Sequence, residues 1–285
     1  MVERRPALTL LAHLVLLLGV LAVAFPVYVT FVASTQTTQD IVTSTPMSLL
    51  PGGHFLQTYR LALFGGEGSY GNKVAPALPM LQVSLISALL ITVGKIAISL
   101  LSAFAFVYFR FPGRGLCFWM VFVTLMLPVE VRIGPTYQVV ADLHLLNSYA
   151  GLAVPLIASA TATFLYRQFF LTVPDELTEA ARIDGAGPLR FFIDILLPLS
   201  ATSTAALFVI QFIYGWNQYL WPLLVSTDSS MYPIVMGINQ MFTGGDAQNE
   251  WSVIMATAML AMLPPALVVL LMQKWFVRGL VDTEK

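Results

Sequence analysis

Three ionisable side chains lie inside long apolar runs of this sequence: Lys95, Glu130 and Arg132. Charged groups at membrane depth are costly, and they usually face the interior of a helical bundle or an aqueous cavity. Glu130 and Arg132 flank Val131 just after Pro128. Residues two apart on a regular helix point about 200° apart, so a direct pair needs local unwinding, which Pro128 and Pro135 could provide. The two are either a structural ion pair or groups snorkelling to the interface, or Arg132 contacts an anion such as a phosphate, for which a guanidinium offers bidentate donors. Lys95, after Gly94, either pairs with an acid from another chain or lines a path. Further on, Trp216, Asn217, Gln218, Tyr219 and Trp221 follow Gly215. Aromatics near a membrane end form an interfacial belt; Asn217 and Gln218 point instead to a hydrated interior, with aromatic and amide groups suited to a polyol.

None of this is a catalytic set. His13, His54 and His144 are scattered without metal-ligand spacing, and no Ser-His-Asp arrangement is suggested. Gly94-Lys95 is not a phosphate-binding loop, because Leu89 stands where its first glycine belongs and Ile96 replaces the required Ser or Thr. The chain is expected to bind neither ATP nor a metal. The lone Cys117 lies in an apolar run and excludes a disulfide framework. A net charge of −1 without a basic stripe gives no footprint for nucleic acid.

The elements that carry these residues are membrane helices. The chain is 58% hydrophobic and only 10% charged, with mean hydropathy +0.80, against about 25% charged residues in soluble domains. Crossing a hydrocarbon core takes about 20 apolar residues as helix. Six stretches qualify: about 8–33, 79–108, 115–138, 150–169, 200–224 and 252–275. Arg4-Arg5-Pro6 precedes the first, which is longer than the apolar region of a cleaved signal peptide and reads as an uncleaved signal anchor. With the N-terminus inside, ten Lys and Arg residues collect on the cytoplasmic side and two, Arg60 and Lys73, on the other, so both termini are expected in the cytoplasm. Residues 34–78 and 225–251 then lie outside, as solvated loops or as a docking surface for an external partner. Neither is large enough to bury a core of its own.

One cytoplasmic stretch stands apart. From Pro174 to Pro198 the chain carries five acidic and two basic side chains between two greasy runs. Pro174 suits a helix's first turn, and Asp175 and Glu176 suit the positive end of its dipole. Leu177, Ala180, Ala181 and Asp184 share one face, where two alanines let a partner backbone approach closely. Gly185 and Gly187 stop this helix. Pro188 starts a second, with Leu189, Phe192, Ile195 and Leu196 on its apolar side, and Pro198 marks entry into the next span. A helix lying on lipid should be basic on its polar side; this one begins acidic. The pattern predicts a helix-turn-helix knob docked closely on another protein.

These residues carry a resemblance. Glu179-Ala180-Ala181, three residues, Gly185, nine residues, then Ile195-x-Leu197-Pro198 resembles the EAA loop of binding-protein-dependent ABC importer permeases. Tyr214 to Pro222 is similar to the carbohydrate-uptake branch, the relatives of the maltose permeases. The runs Leu125–Ile133, Ser159–Leu165 and Phe276–Asp282 resemble the second permease subunits of sn-glycerol-3-phosphate importers. The resemblance implies an all-α polytopic type I permease fold of six spans in a single domain, 1–285, with a cytoplasmic coupling loop at 170–199, in a bacterial inner membrane. It implies a periplasmic binding protein, a second permease and an ATPase dimer holding ATP and Mg as partners. It assigns ATPase coupling to Glu179, Ala180, Ala181, Asp184, Gly185 and Pro198, with Gly185 permitting the bend. The expected role is alternating access for glycerol-3-phosphate. A neutral sugar or oligosaccharide is the nearest alternative cargo. An ion-coupled secondary transporter fits less well, since no internal repeat is visible, and a membrane enzyme lacks an acid, base or metal cluster.

Overall fold

The structure, a computed structural model, describes residues 6–124, 129–242 and 249–282, with backbone only at 6, 7, 129, 130 and 276–282. The chain forms two compact units, Met1–Pro79 with Gly237–Leu263, and Met80–Met236 with Pro264–Lys285.

The first unit begins with α1 (Pro6–Thr35), which is apolar around its whole circumference and keeps its helix through Pro26. The polar segment after it is built rather than slack. Thr37 caps α2 (Thr38–Thr43) by accepting from the Asp40 N–H. The Gln36 amide donates to the carbonyls of Ser48 and Leu50, and the Thr35 hydroxyl accepts from Gly52 N–H. α3 (Phe55–Phe64) leads into a short antiparallel hairpin, β1 (Gly66–Glu67) with β2 (Lys73–Val74). Glu250, just before α15 (Trp251–Asp282), stitches this cap together: its carboxylate accepts from Thr38 Oγ1 and from Tyr70 N–H, each at 3.1 Å. A buried carboxylate is tolerated only when hydrogen-bonded in this way.

In the second unit α4 (Ala77–Tyr108) is the spine. After it come α5 (Arg114–Val123), α6 (Val129–Asp142), α7 (Tyr149–Ala153) running into a 3-10 turn (Val154–Leu156), and α8 (Ala160–Phe170). The polar loop holds α9 (Asp175–Ile183), α10 (Pro188–Phe191), a π-helical turn (Phe192–Leu196) and α11 (Leu197–Leu199). α12 (Ala201–Trp216), α13 (Leu220–Val225) and α14 (Ile234–Gln240) follow.

Among the described residues, three helices are long and apolar enough to cross a membrane: Leu8–Thr35, Ala77–Tyr108 and Trp251–Trp275. Two more candidates are broken. Tyr149–Leu156 and Ala160–Phe170 meet at 50°, and Pro188–Leu199 meets Ala201–Trp216 at 73°. Gly94 explains the first break's placement, since a Cβ there would lie 2.5 Å from Ile157 Cγ2. The bend at Ile157 is packed directly on the glycine of α4. Residues 125–128, within the run 115–138, lie outside the described residues.

Candidate functional site

The polar loop is held from inside by aromatic packing. Phe104 and Tyr108, on the last turns of α4, meet Phe192 and Phe191 with ring centroids 4.9 and 5.2 Å apart. Tyr166, Phe170, Leu196 and Ala181 complete the same buried cluster. α9 starts one residue later than its proline suggested: Pro174 is an extended N-cap and the helix begins at Asp175. Its end is a glycine stop. Gly185 has φ +74, its N–H donates to the Arg182 carbonyl at 3.0 Å, and the Ala186 N–H donates to the Ala181 carbonyl at 2.8 Å. That pair of bonds is a Schellman motif, which needs a left-handed residue and favours glycine. Gly187 then precedes Pro188 at the head of α10, where the missing N–H is harmless. The next turn is π-helical, and Arg190 pairs with Asp194 at 3.2 Å on its exposed side.

This geometry corrects two expectations. The alanines do not form one outward face: Ala180 is exposed, whereas Ala181 is buried in the aromatic cluster. On the second helix Phe191, not Leu189, turns inward with Phe192 and Leu196, and Leu189 is 66% exposed. The outward surface therefore comprises Glu179, Ala180, Ile183 and Leu189, with Asp184 and Pro198 also exposed. Ile183 is 86% exposed, an apolar side chain standing in the open beside a small one. Behind this surface, a cavity of about 510 Å³ lies between α9, α10 and the end of α4, lined by Tyr108, Arg110, Thr178, Arg182 and Phe191 among others.

The second polar region is buried between α4 and α12. Lys95 and Gln211 are each only 6% exposed, and the ammonium donates to Gln211 Oε1 at 3.1 Å while sitting 3.5 Å above the Tyr214 ring. Small residues allow this approach: a Cβ on Gly215 would come within 3.1 Å of Ala88 Cα. Sequence reasoning had singled out Lys95 but missed Gln211 and Tyr214 as its partners. The signal was their i, i+3 spacing on one face of the fifth apolar run.

After Trp216 the helix stops. Asn217 is an exposed C-cap, Gln218 donates back to the Tyr214 carbonyl at 3.1 Å, and Leu220 starts α13. The run 200–224 is thus interrupted at the aromatic-amide stretch. Trp216 is 2% exposed and stacks on Phe212, and Trp221 is buried and donates to the Gly151 carbonyl. Neither is placed in an outward belt. α6 is helical through positions 130 and 132, so the unwinding that a direct pair needs is absent; the Glu130 side chain lies outside the described residues. Arg132 itself is exposed. On the loop before the first 3-10 turn's counterpart at 229–231, the Ser230 N–H holds the Asp228 carboxyl below its usual range.

Comparison with known proteins follows this geometry. A family model described as binding-protein-dependent transport system inner membrane component matches residues 95–282. The sn-glycerol-3-phosphate transport system permease protein UgpE of Brucella melitensis is 59% identical over the whole of both chains. The protein of the same name from Agrobacterium fabrum is also 59% identical, and that from Escherichia coli O1:K1 is 56% identical, again over full length. Among solved structures, a bacterial ABC transporter involved in the import of the acidic polysaccharide alginate contains a chain that superposes with TM-score 0.79, covering 97% of this chain and 99% of that one. At 18% identity that likeness shows the fold alone, the all-α type I importer permease fold.

Proposed function

We propose, for a chain that belongs to the binding-protein-dependent transport system inner membrane components, that it is one of two permease subunits of an ATP-driven importer for sn-glycerol-3-phosphate. It is a multi-pass membrane protein and a transport component. The full-length identity to glycerol-3-phosphate permeases is the observation that carries the cargo. A neutral sugar, the alternative cargo, has no comparable support.

In this reading ATP is hydrolysed in a partner chain, not here. The exposed surface of Glu179, Ala180, Ile183 and Leu189 docks on that ATPase, with Ile183 filling an apolar recess and Ala180 giving clearance. Closure of the ATPase dimer moves the knob. The Phe191 and Phe192 rings pass that motion to Tyr108 and Phe104 at the end of α4, because close-packed aromatic clusters shift as units. α4 carries Lys95 and the broken helix α12–α13 packs on it, so movement there opens and closes the path. Broken helices at membrane depth are tolerated where they line a cavity, which supports a path along 217–219. Both termini and the knob face the cytoplasm, as the distribution of Lys and Arg favours. The six spans include 115–138. A second permease and a periplasmic binding protein complete the assembly.

The test is copurification of the tagged chain with its ATPase, followed by ATPase assay with binding protein and either glycerol-3-phosphate or maltose. Stimulation by glycerol-3-phosphate alone is expected. Absence of any ATPase from the purified complex overturns the reading.

A further inference from the structure

An ammonium buried in an apolar bundle normally has a carboxylate beside it, since an uncompensated buried ion costs several kcal/mol. Lys95 has none among the described residues. Its recorded partners are a neutral amide, Gln211 Oε1 at 3.1 Å, and the face of Tyr214 at 3.5 Å. Both stabilise a cation without neutralising it. Of three ammonium donors, the amide uses one. A buried ammonium held among the described residues by neutral groups alone keeps its charge open to an anion. The glycine contacts that bring α4 against Ile157 and α12 against Ala88 fix Lys95 in place, so the arrangement is built into the helix packing.

We propose that Lys95, presented by Gln211 and Tyr214, binds the phosphate group of the cargo at membrane depth. This rests on the phosphate ester proposed above as cargo. Gln211 and Tyr214 act as positioning residues: they hold the ammonium charged and aimed while the site is empty. In the present conformation Lys95 is shielded, and the cargo reaches it when the path opens. Discrimination between glycerol-3-phosphate and glycerol follows, because a neutral polyol leaves the ammonium without a counter-charge.

The complete transporter, reconstituted in proteoliposomes with its binding protein, tests this by initial uptake rates across glycerol-3-phosphate concentrations. Lys95→Gln is expected to lower uptake about tenfold or more, the scale of one hydrogen bond to a charged group, while Lys95→Arg retains most of it. Cys117 is the only cysteine in the sequence, so in a Cys117→Ser, Lys95→Cys variant position 95 carries this chain's one thiol, and the Cys117→Ser complex treated in the same way controls for thiols of the partner chains. An aminoethyl methanethiosulfonate reagent, which restores a cation, should restore uptake; the methyl reagent should not. Gln211→Glu is nearly isosteric and keeps the lysine, so it covers the case in which Lys95→Gln fails to assemble. It should neutralise the ammonium and lower uptake of glycerol-3-phosphate on the same scale. Full uptake by Lys95→Gln or Gln211→Glu, equal rescue by both reagents, or failure of the cysteine to react during turnover would each overturn the assignment. If the unaltered complex takes up no glycerol-3-phosphate, the proposed cargo fails instead.

Discussion

At the scale of single residues, Gly185 is where backbone conformation bears on the proposed coupling. Its φ of +74 is required by the Schellman hydrogen bonds that end α9, yet a Cβ there would meet nothing within 4 Å. The penalty of a side chain is therefore in the backbone, not in a clash, and amounts to about 1–2 kcal/mol for a left-handed L-residue. Gly185→Val should insert normally but tilt the knob, so ATPase activity continues while uptake falls. Uptake and ATP turnover measured on the same proteoliposomes check this; preserved coupling would count against it. Glycine at 185 was legible from the sequence because few residues tolerate that turn. The division between Ala180 and Ala181 was not, because the two neighbours lie about 100° apart on the helix and spacing alone does not say which side of that stripe the rest of the chain covers. The aromatic cluster decides it.

At the scale of elements, α9 has two faces with opposite duties. Ala181 touches the chain's own aromatic cluster, and Ala180 faces out. Ala180→Trp should leave the permease as stable as the parent and abolish copurification with the ATPase. Ala181→Trp should instead overpack the cluster, at a cost of about 1–3 kcal/mol, read as a lower unfolding temperature of the detergent-solubilised chain. Similar behaviour of the two variants would remove the two-faced description of α9. On α10 the spacing places Leu189 on the apolar side, but Phe191 packs into the aromatic cluster beside Phe192 and Leu196 and leaves Leu189 exposed. In the first unit, Glu250 links α2 and the β1–β2 turn to the start of α15. Glu250→Ala removes the carboxylate that accepts from the Thr38 hydroxyl and the Tyr70 N–H, leaving Thr38 with Ser252 Oγ as partner; a hydrogen bond to a charged group contributes about 1.5–3 kcal/mol. Faster limited proteolysis within 34–78 is the expected outcome, and an unchanged cleavage pattern would show that the cap does not depend on Glu250.

At the scale of the whole molecule, hydropathy and residue order carried most of the architecture. α1, α4 and α15 coincide with the long apolar runs at 8–33, 79–108 and 252–275. What hydropathy averaged away were the interruptions. Trp216 to Tyr219 is apolar enough in the mean to read as continuous helix, although the chain unwinds there, and the 50° break near Ile157 depends on a glycine in another helix. Interruptions of that kind are set by tertiary contact. The motif spacing read from Glu179 to Pro198 pointed to the family to which the chain belongs, whereas the Lys95–Gln211–Tyr214 centre needed coordinates to assemble. The most direct test of the whole is accumulation of labelled glycerol-3-phosphate in proteoliposomes holding this chain, its partner permease, the ATPase and the binding protein. Accumulation that requires internal ATP, and is lost in Ala180→Trp complexes, is the predicted result. Accumulation without ATP, or driven by an ion gradient alone, would contradict it.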